Sequence, residues 1–138
     1  MMMLPLRRAR RAALLLPVVA LTLAACGSDG DGPALSAEAE AGRNTMRSSG
    51  CASCHGADGQ GGVGPSFQGL YGTEVELADG TTVTADDEYL RESIREPGAK
   101  IVEGYRVPMP ANDLSDAEID EIIAYIRAIG PETDEDGS

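Results

Sequence analysis

Apolar residues recur at helical spacing in three places along the chain. Ile119, Ile122, Ile123, Ile126 and Ile129 fall at i, i+3, i+4, i+7 and i+10, one stripe of an amphipathic helix. Ser115-Asp116-Ala117-Glu118 ahead of it has the form of a capping box, and Gly130-Pro131 ends it. A second helix is predicted from Ser36, its N-cap, to about Ser48. Glu38 and Glu40 sit in its first turn, where the helix dipole favours acids, and Gly50 stops it. A third runs from Ala85 to about Glu96, capped by Thr84, with Tyr89, Leu90 and Ile94 inward and Pro97-Gly98 after it. Between the second and third, residues 73–84 lose the helical period. Val75, Leu77 and Val83 flank Asp79-Gly80, the signature of a β-hairpin.

The N-terminal pattern is different in kind. Residues 1–11 are basic, and residues 12–25 form an apolar run broken by Pro17. This is short for a membrane span and suits a signal sequence. The run ends Leu23-Ala24-Ala25-Cys26, which resembles the lipobox of bacterial lipoproteins. That resemblance implies a signal peptide over 1–25 and a lipidated Cys26 that anchors the protein in a membrane. The competing reading is an ordinary secretory signal that leaves Cys26 as a free thiol. Residues 26–35 then read as a flexible linker, 36–130 as one domain, and 131–138 as an acidic, disordered tail.

Composition sharpens this picture. The chain has 138 residues, three cysteines, one histidine, no tryptophan and a net charge of −12. Without Arg7, Arg8, Arg10 and Arg11, seven cations remain against 23 carboxylates, a net charge of −16. Such a surface excludes binding to nucleic acid or anionic lipid by charge. It favours protein partners with basic or apolar docking faces. Five aromatic residues are few for a core of this size, so a buried prosthetic group would supply missing apolar mass.

The candidate chemistry lies at Cys51-Ala52-Ser53-Cys54-His55. Two thiols two residues apart, followed at once by an imidazole, form the attachment signature of haem c. A turn-like backbone puts both sulfurs on one side, and His55 can reach the iron. A zinc site lacks ligands, since one cysteine and no histidine remain elsewhere. A thioredoxin-like pair lacks its βαβ context. Gly59-x-Gly61-x-x-Gly64 matches a dinucleotide fingerprint only formally, for no strand precedes it. Asp86, Asp87 and Glu88 read as dipole partners of a helix rather than a metal site. Phe67, Leu70 and Tyr71 have spacing suited to packing on a porphyrin. With one histidine, the sixth iron ligand is sought among the methionines. Met46 is too near Cys51, on a helix whose inner face must pack. Met109, 54 residues beyond His55 and flanked by Pro108 and Pro110, can wrap to the opposite face. A Met109 that only fills core is the alternative. Tyr105 and Arg106 are candidates to reach a haem propionate.

Gly42, Met46 and Gly50 before the cysteine motif, Gly64-Pro65 after it and Met109-Pro110 beyond resemble the pattern of class I cytochromes c. The resemblance implies an all-α fold around one covalent haem, with the β-hairpin as a small insertion. It implies close crossing of the first and last helices at Gly42, near Tyr125. It also implies that the Pro65 carbonyl accepts the second N–H of His55. Phenylalanine is common in the family where this chain has Met46. The hairpin stretch and Gly104-Tyr105…Met109-Pro110 resemble the cytochrome c domains fused to subunit II of haem–copper oxidases, although no copper-domain sequence is present. The implied function is single-electron transport, without substrate chemistry, on the outer face of the cytoplasmic membrane. The alternatives are an electron-entry subunit of an oxidase or dehydrogenase, and a haem gas sensor or peroxidase with an open sixth site.

Overall fold

Ser36 Oγ accepts the Ala39 N–H at 3.2 Å and opens α1 (Ala37–Ser48). The computed structural model describes residues 34–131. The expected signal peptide, the Cys26 lipidation site, most of the linker and nearly all of the acidic tail lie outside the described residues. Leu35, assigned to the linker, is partly buried against the core, so packing begins one residue before the expected domain start.

The end of α1 sets the direction of the chain. The Cys51 N–H donates to the Met46 carbonyl at 3.1 Å and the Gly50 N–H to Arg47 at 3.4 Å. Together these form a Schellman turn with Gly50 at φ +81°. The turn leads straight into α2 (Ala52–His55), a single helical turn where the sequence suggested only a turn-like backbone. A long loop follows, then β1 (Glu74–Glu76) and β2 (Thr82–Thr84). They pair antiparallel with Val75 opposite Val83. Asp79 Oδ1 stabilises their connection by accepting from the Thr81 N–H and Oγ1–H. One further feature was not legible: Leu77 bridges Val102, and the Ala78 and Glu103 N–H groups donate to Ile101 and Glu76. The outer edge of β1 is thereby paired to the loop that leads to Met109.

The helix α3 (Asp87–Arg95) is capped by Asp86, whose Oδ1 accepts the Tyr89 N–H at 2.9 Å. Thr84, the expected cap, instead belongs to β2, and Ala85 is fully buried with its N–H on Thr73. Asp86 competes successfully because it sits three residues before a free N–H, with extended backbone. Asp86→Ala should therefore cost about 1 kcal/mol, and Thr84→Ala less than about 0.5 kcal/mol. Urea denaturation checks both, and equal losses would refute the assignment.

The capping box of Ser115 and Glu118 is formed and opens α4 (Asp116–Ala128). Ile119, Ile122, Ile123 and Ile126 are buried, with Tyr125 and Met46, in the core that joins α1, α3 and α4. The closest approach is between α1 and α4. A methyl group on Gly42 would lie 1.8 Å from the Glu121 carbonyl oxygen, so only glycine fits there. Beside it, Thr45 Oγ1 donates to Glu121 Oε2 at 2.9 Å. Arg91 and Arg95 pair with Asp120 and Asp116, tying α3 to α4. Among the described residues, no helix is long and apolar enough to cross a membrane.

Candidate functional site

The interior encloses a mostly apolar cavity of about 270 Å³, near the lower end of the range for small-molecule sites. Met46 of α1, Cys51, Cys54 and His55 around α2, and Leu90, Ser93 and Ile94 of α3 line it. Ile122 and Ile126 of α4 and residues of the loop from Tyr105 to Asn112 also line it.

The short α2 places the chemistry. Its hydrogen bonds from Cys54 and His55 N–H to the Cys51 carbonyl close one turn. Cys51 and Cys54, three apart on that turn, thus share a face. Neither is in a disulfide, both are half-buried, and burial pushes the Cys51 thiol above its ordinary range.

His55 is 8% exposed. Its Nδ1 lies 2.8 Å from the Pro65 carbonyl oxygen. A carbonyl only accepts, so Nδ1 carries the proton and donates it. In a neutral imidazole this tautomer leaves the lone pair on Nε2, the form that ligates a metal. The Phe67 ring stacks on the imidazole with centroids 4.3 Å apart and planes 21° apart. A methyl group on Gly64 would come within 2.7 Å of His55 Cε1. The loop that carries these groups is tied back to α1. Arg43 and Arg47 both donate to Asp58 Oδ1 at 2.7 Å, and Arg47 Nε donates to the Ala57 carbonyl. Arg43 holds the Asp58 carboxyl below its usual range.

Of the sequence-predicted residues, Cys51, Cys54, His55, Pro65, Phe67, Tyr105 and Met109 line the one cavity. Tyr71 is not among the lining residues. Its hydroxyl donates to Asp87 Oδ1 at 2.8 Å, and the Arg127 guanidinium lies 5.0 Å over its ring. Arg127 and the Tyr71 hydroxyl lower the Asp87 pKa. This surface cluster outcompetes the cavity because a phenol and a charged pair both lose solvation inside an apolar space. Arg106 is exposed and does not line the cavity. Met46 is fully buried and contributes to the cavity wall, as core and lining at once.

Ser93, Lys100 and Asn112 also line the cavity and were not foreseen. Ser93 carried a signal: a hydroxyl at i+3 from Leu90 interrupts an otherwise apolar face. Its Oγ is buried without a hydrogen-bond partner among the described residues. The residues present fit a haem: an apolar slot, two thiols on one face, an imidazole with its tautomer set, and an orphaned hydroxyl in the wall. Among the described residues, no group of three or more His, Cys, Asp or Glu side chains is placed to hold a bare metal ion.

Residues 39–130 match the family model described as cytochrome c. A comparison with curated proteins finds no match.

Proposed function

The chain belongs to the cytochrome c family of haem-based electron carriers, and from that premise we propose a lipid-tethered, mono-haem carrier of single electrons. It works in a bacterial respiratory chain, on the outer face of the cytoplasmic membrane, to or from a terminal oxidase. Haem bound here would supply an Fe(II)/Fe(III) couple. Cys51 and Cys54 would hold it through thioether bonds, and His55 and Met109 would ligate its iron. The observation that carries this reading is the His55 Nδ1 to Pro65 hydrogen bond of 2.8 Å inside the cavity that Met109 also lines.

The protein's own groups keep this site rigid. Pro65 orients the imidazole and fixes its proton on Nδ1, and Phe67 and Gly64 flank its ring. The Met109 loop is held to α3 by Asn112 Nδ2, which donates to the Ile94 carbonyl at 2.7 Å. The lining is mostly apolar, which disfavours water beside the group the site would hold. The acidic surface selects partners with basic or apolar faces. Acyl chains on Cys26 give durable anchoring with reach from the linker.

A second reading is favoured by the hairpin, which resembles oxidase-fused domains and is paired to residues 101–103. There the chain is an electron-entry subunit held in an oxidase or dehydrogenase. Solubilisation of the native membrane in mild detergent, with absorption spectra before and after carbon monoxide, tests the readings. The carrier purifies alone and its reduced form does not take up carbon monoxide. Co-purification with a copper or haem–copper subunit supports the second reading. Ready carbon monoxide binding by the wild type overturns both in favour of a sensor or peroxidase.

A further inference from the structure

Met109 lies in a stretch that has no internal support. Residues 106–111 neither donate nor accept a hydrogen bond among the described residues, and of the six only Met109 is half-buried, the rest exposed. Where Met109 sits is therefore decided at the two ends of the stretch. At the far end, Asn112 Nδ2 donates to the Ile94 carbonyl at 2.7 Å. At the near end the chain is stitched to the hairpin. Leu77 bridges Val102, the Ala78 N–H donates to the Ile101 carbonyl at 2.8 Å, and the Glu103 N–H donates to the Glu76 carbonyl at 2.9 Å. The Tyr105 N–H then turns back to the Val102 carbonyl at 3.2 Å. The hairpin is a firm support for this seam, since Leu77 is 4% exposed and Val102 packs against the same core. Pinning the near end shortens the free span, and a shorter span leaves Met109 fewer positions to sample. Pro108 and Pro110 restrict it further.

We propose that the hairpin is a brace for the Met109 loop: its seam with residues 101–103 holds Met109 over the iron site and keeps outside ligands from taking its place. The inference rests on the His55/Met109 ligation of the preceding section. Glu76, Leu77 and Ala78 are positioning residues in this role; they act through Met109. An outside ligand must displace the sulfur, and the sulfur returns faster and more often when its loop is pinned close by. Loosening the seam lowers that advantage without touching the cavity wall.

The test uses the oxidised, haem-loaded protein, with imidazole as the probe that displaces Met109 and loss of the sulfur-to-iron(III) absorption band as the signal. Ala78→Pro removes one N–H of the seam and keeps the turn. The Gly80 N–H donates to the Leu77 carbonyl at 2.8 Å, so Ala78 is second in a four-residue turn, and its φ is not positive. Proline suits that position. This variant should bind imidazole about tenfold more tightly, equivalent to about 1.4 kcal/mol, which one backbone hydrogen bond can supply. Ala78→Ser, which keeps the N–H, should bind it as the wild type does. Coupling is reciprocal, so saturating imidazole should speed hydrogen exchange at the Ala78 and Glu103 amides of the wild type. The Leu77 amide, which donates to Thr81 within the hairpin, should not change. This second readout stands even if a variant fails to fold. Wild-type affinity in Ala78→Pro, equal gains in both variants, or unmoved exchange at Ala78 and Glu103 would overturn the proposal while leaving the ligation intact. A wild-type protein without the sulfur-to-iron(III) band would overturn the His55/Met109 reading, and this proposal with it.

Discussion

Gly42→Ala should destabilise the domain by about 3 kcal/mol or more, at the upper end of what overpacking costs. The added methyl group would meet the Glu121 carbonyl oxygen at 1.8 Å and its carbon at 2.4 Å. Both belong to the backbone of α4, so no side chain can rotate away. Relief requires α1 and α4 to separate. That movement opens the contacts of Met46 and Tyr125, both essentially buried, and strains the bond from Thr45 to Glu121. For a domain of about 100 residues, a loss of this size lowers the melting temperature by roughly 15 °C. Gly50→Ala is the comparison. Gly50 has φ +81° but open space around its Cβ position, so strain alone costs about 1 kcal/mol. Thermal and urea melts of the haem-loaded variants measure both. A Gly42→Ala protein within about 1 kcal/mol of wild type would show that the two helices are not locked at this crossing.

Met109→Ala should abolish the sulfur-to-iron(III) absorption band, admit carbon monoxide to the reduced protein and lower the potential. Axial ligands command a range of roughly 0.8 V, and thioether sulfur favours the reduced state. Met46→Ala separates ligation from packing. Met46 is the other methionine at the cavity wall, fully buried in the core. Its truncation should cost about 2–5 kcal/mol in stability while the band persists. The reverse pattern, with the band lost in Met46→Ala and kept in Met109→Ala, would exchange the two roles.

Much of the scaffold was legible because its causes are local. The Ile119–Ile126 stripe and the Ser115 capping box define α4 through spacing and one side chain. Ser36 and Gly50 bound α1 in the same way, and Asp79-Gly80 marks the hairpin turn. The pentapeptide Cys51–His55 carries its chemistry in its order. Where two local signals competed, reading was less secure. Thr84 was the expected cap of α3, but it pairs in β2, and Asp86 caps the helix instead.

Tyr71 and Ser93 show the limit from opposite sides. In sequence, Tyr71 is an aromatic residue near the haem motif and Ser93 a polar residue on a helix. Only the packing of α3 against α4 places Asp87 and Arg127 beside Tyr71 and draws it out of the cavity. The same packing, with Asn112 of the Met109 loop bonded to the Ile94 carbonyl of α3, leaves the Ser93 hydroxyl buried and without a partner among the described residues. The order of residues along the chain settled α1, α4, the hairpin turn and the attachment motif, since each depends on groups within one or two turns. Tertiary structure alone decided which side chains share the cavity, which side chain caps α3, and that the loop before Met109 pairs with the edge of β1. Those facts depend on distances between segments that lie far apart in the chain.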